Sequence, residues 1–154
     1  MTKASQKLIT VGWREWVSLP DLGIDKIKVK VDTGARTSAI HATELSPFEE
    51  DGVKRIAFNV HTHRRDHDQF VRCVADIFDQ RSVTNSGGQS EERWVIQTGL
   101  TIGDYSWPIA MTLTARPDMR FRMLLGRNAM EDRIVVDPAK SFVWGRHRSK
   151  PRKT

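Results

Sequence analysis

Lys26-Ile27-Lys28-Val29-Lys30-Val31-Asp32-Thr33-Gly34-Ala35 is the stretch that decides the fold. Ile27, Val29 and Val31 alternate with Lys26, Lys28 and Lys30. That period of two describes a strand with one dry and one wet face. The strand arrives directly at Asp-Thr-Gly. Taken alone, the tripeptide describes a strand-ending turn, in which Asp bonds its own backbone and Gly supplies conformational freedom.

Outward from this strand the same period recurs. Ile56, Phe58 and Val60 alternate, and a run from Phe70 to Ile77 follows. Trp94, Ile96, Thr98, Leu100 and Ile102 alternate next, Gly103-Asp104 offers a tight turn, and Ile109, Met111 and Leu113 alternate on the return. This pattern predicts a hairpin. Ile134-Val135-Val136 and Ser141-Phe142-Val143-Trp144 flank Asp137-Pro138-Ala139-Lys140 and predict another. Thr37 to Leu45 is ambiguous between helix and strand. Helical signal is confined to a turn or two around Asn128–Asp132, after Gly126. The polar, Gly- and Ser-rich segment 82–92 reads as a loop or hairpin tip. No internal repeat is present. The expected class is all-β, a single domain over residues 1–145 followed by a basic tail at 146–154.

Composition sets the outer limits. The chain has 154 residues, 38% of them hydrophobic and 29% charged, a balance ordinary for a soluble globular protein. No run approaches the roughly 18 apolar residues a membrane-spanning helix needs. The polar start, Met1 to Lys7, leads into no apolar signal region, and Cys73 is the only cysteine. Together these point to a reducing cytoplasm. The net charge is +6, much of it in Arg146–Lys153, which reads as a solvated end. Binding of nucleic acid by that tail ranks below a solubilising role. Trp13 and Trp16 are expected to cover the core or a dimer seam, and Trp94 and Trp107 to pack on strands.

A second motif changes the weight of the first. Met123-Leu124-Leu125-Gly126-Arg127-Asn128 is an apolar strand ending in Gly before the short helix. Between the motifs lies Val83-Thr84-Asn85-Ser86-Gly87-Gly88, with Arg93-Trp94-Val95-Ile96 as a returning arm. An Asp-Thr-Gly-Ala loop, a Gly-rich hairpin and an apolar-apolar-Gly-Arg-Asn segment, in that order, resemble the retropepsin family of aspartic proteases. The resemblance covers most of 26–40 and 81–136.

The resemblance implies a closed β-barrel with one short helix and a flap hairpin, and aspartic endopeptidase activity without a cofactor. Such chemistry needs two facing carboxylates that share one proton, because like charges about 3 Å apart cannot both ionise. With one Asp-Thr-Gly in a chain this short, the second carboxylate must come from a two-fold homodimer, and the pair titrates as a unit. By resemblance, Asp32 is the acid/base and Thr33 stiffens the paired loops. Gly34 donates its N–H to the carboxylate, and Ala35 and Arg36 border the substrate. Gly126 packs beneath the loop, next to Arg127, which braces the dimer, and Asn128. Ser86, Gly87 and Gly88 fold over substrate and exclude water.

Two features depart from the viral pattern. Arg36-Thr37-Ser38 stands where acidic residues often hold the bracing arginine, so Arg127 needs another partner. Residues from about 41 to 79 exceed what the viral enzymes need and read as an inserted hairpin. Both departures match a bacterial and archaeal branch labelled ATP-dependent zinc proteases, whose members resemble partners of ATP-grasp ligases that attach glutamate to proteins. The resemblance therefore implies a ligase partner, although no Gly-rich phosphate loop with Lys-Ser/Thr is present.

The zinc label makes His61-Thr62-His63-Arg64-Arg65-Asp66-His67-Asp68 a rival site. On a strand His61 and His63 would share a face and could share a metal, with His67 or Asp68 completing the set. The pattern His-Glu-x-x-His is absent, so a zinc hydrolase ranks below the carboxylate dyad. A peptide-binding scaffold of the same fold is the other alternative, with Arg36 holding both carboxylates ionised and inactive.

Overall fold

The structure, a computed structural model, describes residues 8–62, 69–84 and 87–145. It is built almost wholly of strands. These are β1 (Ile9–Val11), β2 (Arg14–Leu19), β3 (Ile24–Val31), β4 (Ser38–Glu50), β5 (Val53–Val60) and β6 (Val71–Thr84). After them come β7 (Ser90–Ile102), β8 (Tyr105–Thr114), β9 (Met123–Leu125), the short α-helix α1 (Arg127–Met130) and β10 (Ile134–Val136), with one 3-10 turn at Pro20–Leu22. Eight strands form one sheet in the order β2-β3-β9-β4-β5-β6-β7-β8, and further pairings of β2 with β7 and β4 with β8 close it into a ring. The all-β expectation holds.

Alternation explains the strand that leads to Asp32. Ile24, Ile27, Val29 and Val31 of β3 are buried while Lys26, Lys28 and Lys30 are exposed. β9 then lies parallel to β3, with Val29 opposite Met123 and Val31 opposite Leu125. Met123 and Leu125 are fully buried with Ile27, Ile40, Phe58, Ile96 and Met111. Burial of such side chains stabilises the fold by roughly 1.5–3 kcal/mol each. It also fixes the register that brings Gly126 next to Asp32.

The segment Thr37 to Leu45, ambiguous in sequence, falls from Ser38 onward in β4. Its first residues are covered on both faces: Ser38, Ile40, His41 and Ala42 are all buried. A strand dry on both sides shows no alternation. Further on, its pairing with β5 shifts between Thr43 and Ser46, where Glu44 adopts a φ of 53°. Such a bulge resets the inward-facing set. The stretch read as an inserted hairpin is occupied by the far half of β4, β5 and the near half of β6. All are hydrogen-bonded within the main sheet, with Ala42 opposite Val60 and Val60 opposite Val71.

The hairpin expected at 134–144 is not formed. β10 pairs instead with β1 in parallel, Ile9 opposite Ile134 and Val11 opposite Val136. Ser141–Trp144 is not a strand. Phe142 turns into the left-handed region (φ 53°), and the Val143 and Trp144 N–H groups donate to the Glu15 carboxylate at 2.9 and 3.2 Å. The hairpin of β7 and β8 is as expected, with Ile102 opposite Tyr105 around the Gly103 turn (φ 58°). Trp107 is buried and donates its Nε1–H to the Ala129 carbonyl at 2.9 Å, and Trp94 packs on the core. Trp13 and Trp16 are only half-buried and stand outside the core cluster. No helix among the described residues is long and apolar enough to cross a membrane.

Candidate functional site

Asp32 is the first residue beyond β3, and backbone bonds to neighbouring elements hold it there. Its N–H donates to the Leu125 carbonyl of β9 at 2.9 Å, and the preceding Val31 N–H donates to the Trp13 carbonyl at 2.8 Å. The Asp32 carboxylate accepts the Gly34 N–H at Oδ1, 3.0 Å away. A Cβ on residue 34 would sit 3.3 Å from that oxygen, so glycine gives the loop its close return. The Ala35 N–H completes the turn by donating to the Asp32 carbonyl at 3.2 Å.

The loop is then clamped to α1. Arg127 and Asn128 donate their N–H groups to the carbonyls of Ala35 and Arg36, at 2.8 and 2.9 Å. Gly126 lies directly beneath. A Cβ there would meet the Thr37 carbonyl carbon at 2.5 Å and its oxygen at 2.7 Å, a backbone contact that cannot yield, so only glycine fits. The buried Ser38 hydroxyl accepts the Gly126 N–H at 3.0 Å. Asp32, Thr33, Gly34, Ala35, Arg36, Gly126, Arg127 and Asn128 therefore form one constellation, with Thr33, Gly34 and Arg36 exposed and Asp32 partly so. The arrangement presents a carboxylate with one oxygen fixed by a backbone donor on a rigid, accessible loop.

Sequence reasoning left Arg127 without a partner. The structure supplies one: its guanidinium Nη1 donates to the Thr33 carbonyl at 3.0 Å.

Gly87 and Gly88 lie at the tip of a separate hairpin, where β6 and β7 pair from Asp79 opposite Val95 to Thr84 opposite Ser90. Gly88 has a φ of 86°, which favours glycine. Ser86 lies outside the described residues. Polar contacts tie the arms, since Gln80 and Ser82 of β6 both donate to Glu92 of β7, and within β6 Arg81 pairs with Asp79 at 3.0 Å. The Arg81 guanidinium and the Gln80 N–H hold Asp79 below the usual carboxylate range. The Ser82 hydroxyl and the Gln80 amide do the same for Glu92.

Of the rival metal site, His61 lies among the described residues and His63, His67 and Asp68 do not. His61 Nε2 is 3.0 Å from the Thr43 hydroxyl, and its ring centroid lies 6.2 Å from that of His41. Among the described residues, no group of three or more His, Cys, Asp or Glu side chains is placed to hold a metal ion.

One feature escaped sequence reasoning. Trp13, Arg14, Trp16, Lys28, Lys30 and Phe121 line part of a groove of about 980 Å³. The signal was present in the exposed lysines of β3, which a strand pattern assigns only to solvent.

The fold has counterparts in known proteins. A crystal structure of Lpg0085, a protein of unknown function from Legionella pneumophila, superposes with a TM-score of 0.74 at 23% identity, covering 89% of this chain and 98% of that one. In sequence the chain is 48% identical over 135 residues to a probable alpha-L-glutamate ligase of Desulfotalea psychrophila. It is 46% identical to one of Parasynechococcus marenigrum and 40% identical to one of Shewanella pealeana. These matches cover 88–92% of this chain but only 29–31% of the ligases, so it spans less than a third of their length. Residues 10–147 match the model of a family described as RimB-like, retropepsin-like aspartic endopeptidase RimB. The chain, with its closed all-β fold, belongs to this RimB-like family of retropepsin-like proteins.

Proposed function

We propose that the protein is an aspartic endopeptidase that works as a homodimer, Asp32 of each subunit supplying one carboxylate of the catalytic pair. The observation that carries this reading is the Asp32 loop itself, with Oδ1 held by the Gly34 N–H and the backbone pinned to Leu125. In such a pair the ionised carboxylate takes a proton from water, whose oxygen bonds to the scissile carbonyl carbon. The protonated partner donates to the carbonyl oxygen, and collapse of the tetrahedral intermediate breaks the C–N bond as the leaving amine gains a proton. Gly87 and Gly88 at the flap tip close over the bound peptide and exclude water.

The substrate is a protein tail carrying added glutamate. Support for this comes from the relatives: they are named as glutamate ligases, and a segment like this chain makes up about 29–31% of each. A hydrolase that accompanies a ligase can trim what the ligase adds, and an ATP-grasp ligase is the natural partner of the chain.

Replacing Asp32 with Asn tests the catalytic claim. Cleavage of a glutamate-extended peptide is expected to fall by roughly 10⁴-fold while the fold persists. Cleavage by the variant at the parental rate overturns the reading in favour of a metal-dependent site. Absence of cleavage by the parental protein overturns it in favour of a binding scaffold in which Arg36 keeps the pair ionised. A monomeric mass for the active protein at micromolar concentration overturns the dimer.

A further inference from the structure

The groove missed in sequence is a cationic surface with an aromatic frame. β2 and β3 are antiparallel, with Arg14 opposite Lys30 and Trp16 opposite Lys28, so these four side chains share the outward face. The segment between β8 and β9 forms the other wall and contributes Arg120 and Phe121. His41 ties both ends of that wall to β4. Its Nδ1 accepts the Arg116 N–H at 3.0 Å, and its own N–H donates to the Arg122 carbonyl at 2.9 Å. The groove is preorganised.

Its cations are oriented by rings rather than by acids. Lys28 Nζ lies 5.6 Å from the Trp16 ring centroid and 5.8 Å from that of Phe121. The Arg14 guanidinium lies 4.6 Å from the Trp13 centroid and 4.8 Å from that of Phe142. Cation–π contacts hold a charge in place without neutralising it. Elsewhere on the surface Arg55, Arg81 and Arg93 all pair with carboxylates. Among the described residues no ion pair engages Arg14, Lys28, Lys30 or Arg120, and the lining contains one acid, Asp118. Like charges gathered this closely repel unless an anion sits among them.

The groove also points at the catalytic loop. Carried one step past β3, the strand period puts Lys28, Lys30 and Asp32 on one face. Leu124, in the lining, immediately precedes Leu125, whose carbonyl holds the Asp32 N–H. Alternate residues of an extended peptide are about 6.4–6.8 Å apart, the same spacing as alternate residues of a strand. An extended acidic peptide lying along β3 brings its carboxylates into step with Lys28 and Lys30.

We propose that Lys28, Lys30 and Arg120 are specificity determinants that bind side-chain carboxylates of an acidic peptide and feed it to Asp32. The proposal rests on the peptidase reading for what happens next, but binding is separable from turnover. Basic and aromatic residues also suit single-stranded nucleic acid, and continuity with Asp32 favours the peptide.

The test uses the full chain carrying Asp32→Asn, with hexaglutamate and hexaglutamine peptides and a single-stranded oligonucleotide as calorimetric probes. Hexaglutamate is expected to bind, to lose affinity as salt rises, and to weaken about tenfold or more in a Lys28→Gln/Lys30→Gln variant and again in Arg120→Gln, while hexaglutamine binds feebly throughout. All three side chains are exposed, so the variants fold. Equal affinity for both peptides overturns the proposal, as does hexaglutamate binding indifferent to the substitutions. An oligonucleotide that outcompetes hexaglutamate and depends on the same lysines also overturns it. If Asp32→Asn still cleaves peptides, the catalytic reading fails and these binding results decide the groove on their own.

Discussion

Arg127 donates from Nη1 to the carbonyl oxygen of Thr33, 3.0 Å away, joining residues 94 apart in sequence. Arginine in this position needs an acceptor, and the acidic residues that commonly supply one are replaced here by Arg36-Thr37-Ser38. A backbone carbonyl takes over. The bond reaches the loop one residue beyond Asp32 and so adds a second anchor to the Leu125 contact.

Removing that bond is expected to impair turnover more than stability. Arg127 is exposed, so Arg127→Ala loses one charge-assisted hydrogen bond, about 1.5–3 kcal/mol at most. The loop loses its brace, and kcat should drop about 10- to 100-fold with KM little changed, because positioning errors act on the transition state. Arg127→Lys lacks the planar fork and should restore only part of the loss. Steady-state kinetics with a thermal melt check this; a variant with normal kcat refutes the bracing role.

Glu15 plays a comparable anchoring role elsewhere in the fold. Fully buried, it accepts N–H groups from Gly12 at 2.7 Å, Val143 at 2.9 Å and Trp144 at 3.2 Å. One carboxylate thus anchors the segments before β2 and after β10. Glu15→Ala strands three donors and should cost about 3 kcal/mol or more. Glu15→Gln keeps a carbonyl acceptor but turns an amide toward the donors, and should cost less than Ala. Urea unfolding measures both. Equal stability of Glu15→Ala and the parent would show that water replaces the carboxylate.

These two residues mark where the sequence was readable and where it was not. β3 was legible because one face is wet, and Gly34 because its bond to Asp32 spans two residues. β4 was not, since both its faces are covered near Ile40 and a bulge follows. Ser141–Trp144 looked like a strand because its apolar residues are strand formers, yet a glutamate 128 residues away takes its N–H groups. The Asp-Thr-Gly loop and its Gly-Arg-Asn support were visible as motifs. The groove was not, because its walls meet only when β2, β3 and the segment before β9 fold together.

The flap arms carry an acid-sensitive lock. Asp79 is held below its ordinary value of 3.8 by the Arg81 guanidinium and then the Gln80 N–H. Glu92 is held below 4.5 by the Ser82 hydroxyl and then the Gln80 amide. A carboxylate whose folded pKa is depressed contributes stability that is fully present above its unfolded pKa and is lost as pH falls through the folded one. Both contributions are therefore complete above about pH 5 and disappear progressively below the ordinary carboxylate range. Both groups are exposed, so the loss is local: the arms of β6 and β7 loosen while the core persists. Amide exchange in 79–82 and 90–93, corrected for intrinsic rates, should accelerate on acidification from about pH 6 to about pH 3. Glu92→Gln should show faster exchange already at the upper pH and a smaller further change. Protection independent of pH in the parental protein would mean that these contacts do not hold the flap. Under the proposed lid role a looser hairpin admits water to the site, so the same acidification should lower kcat of the parental protein more steeply than that of Glu92→Gln.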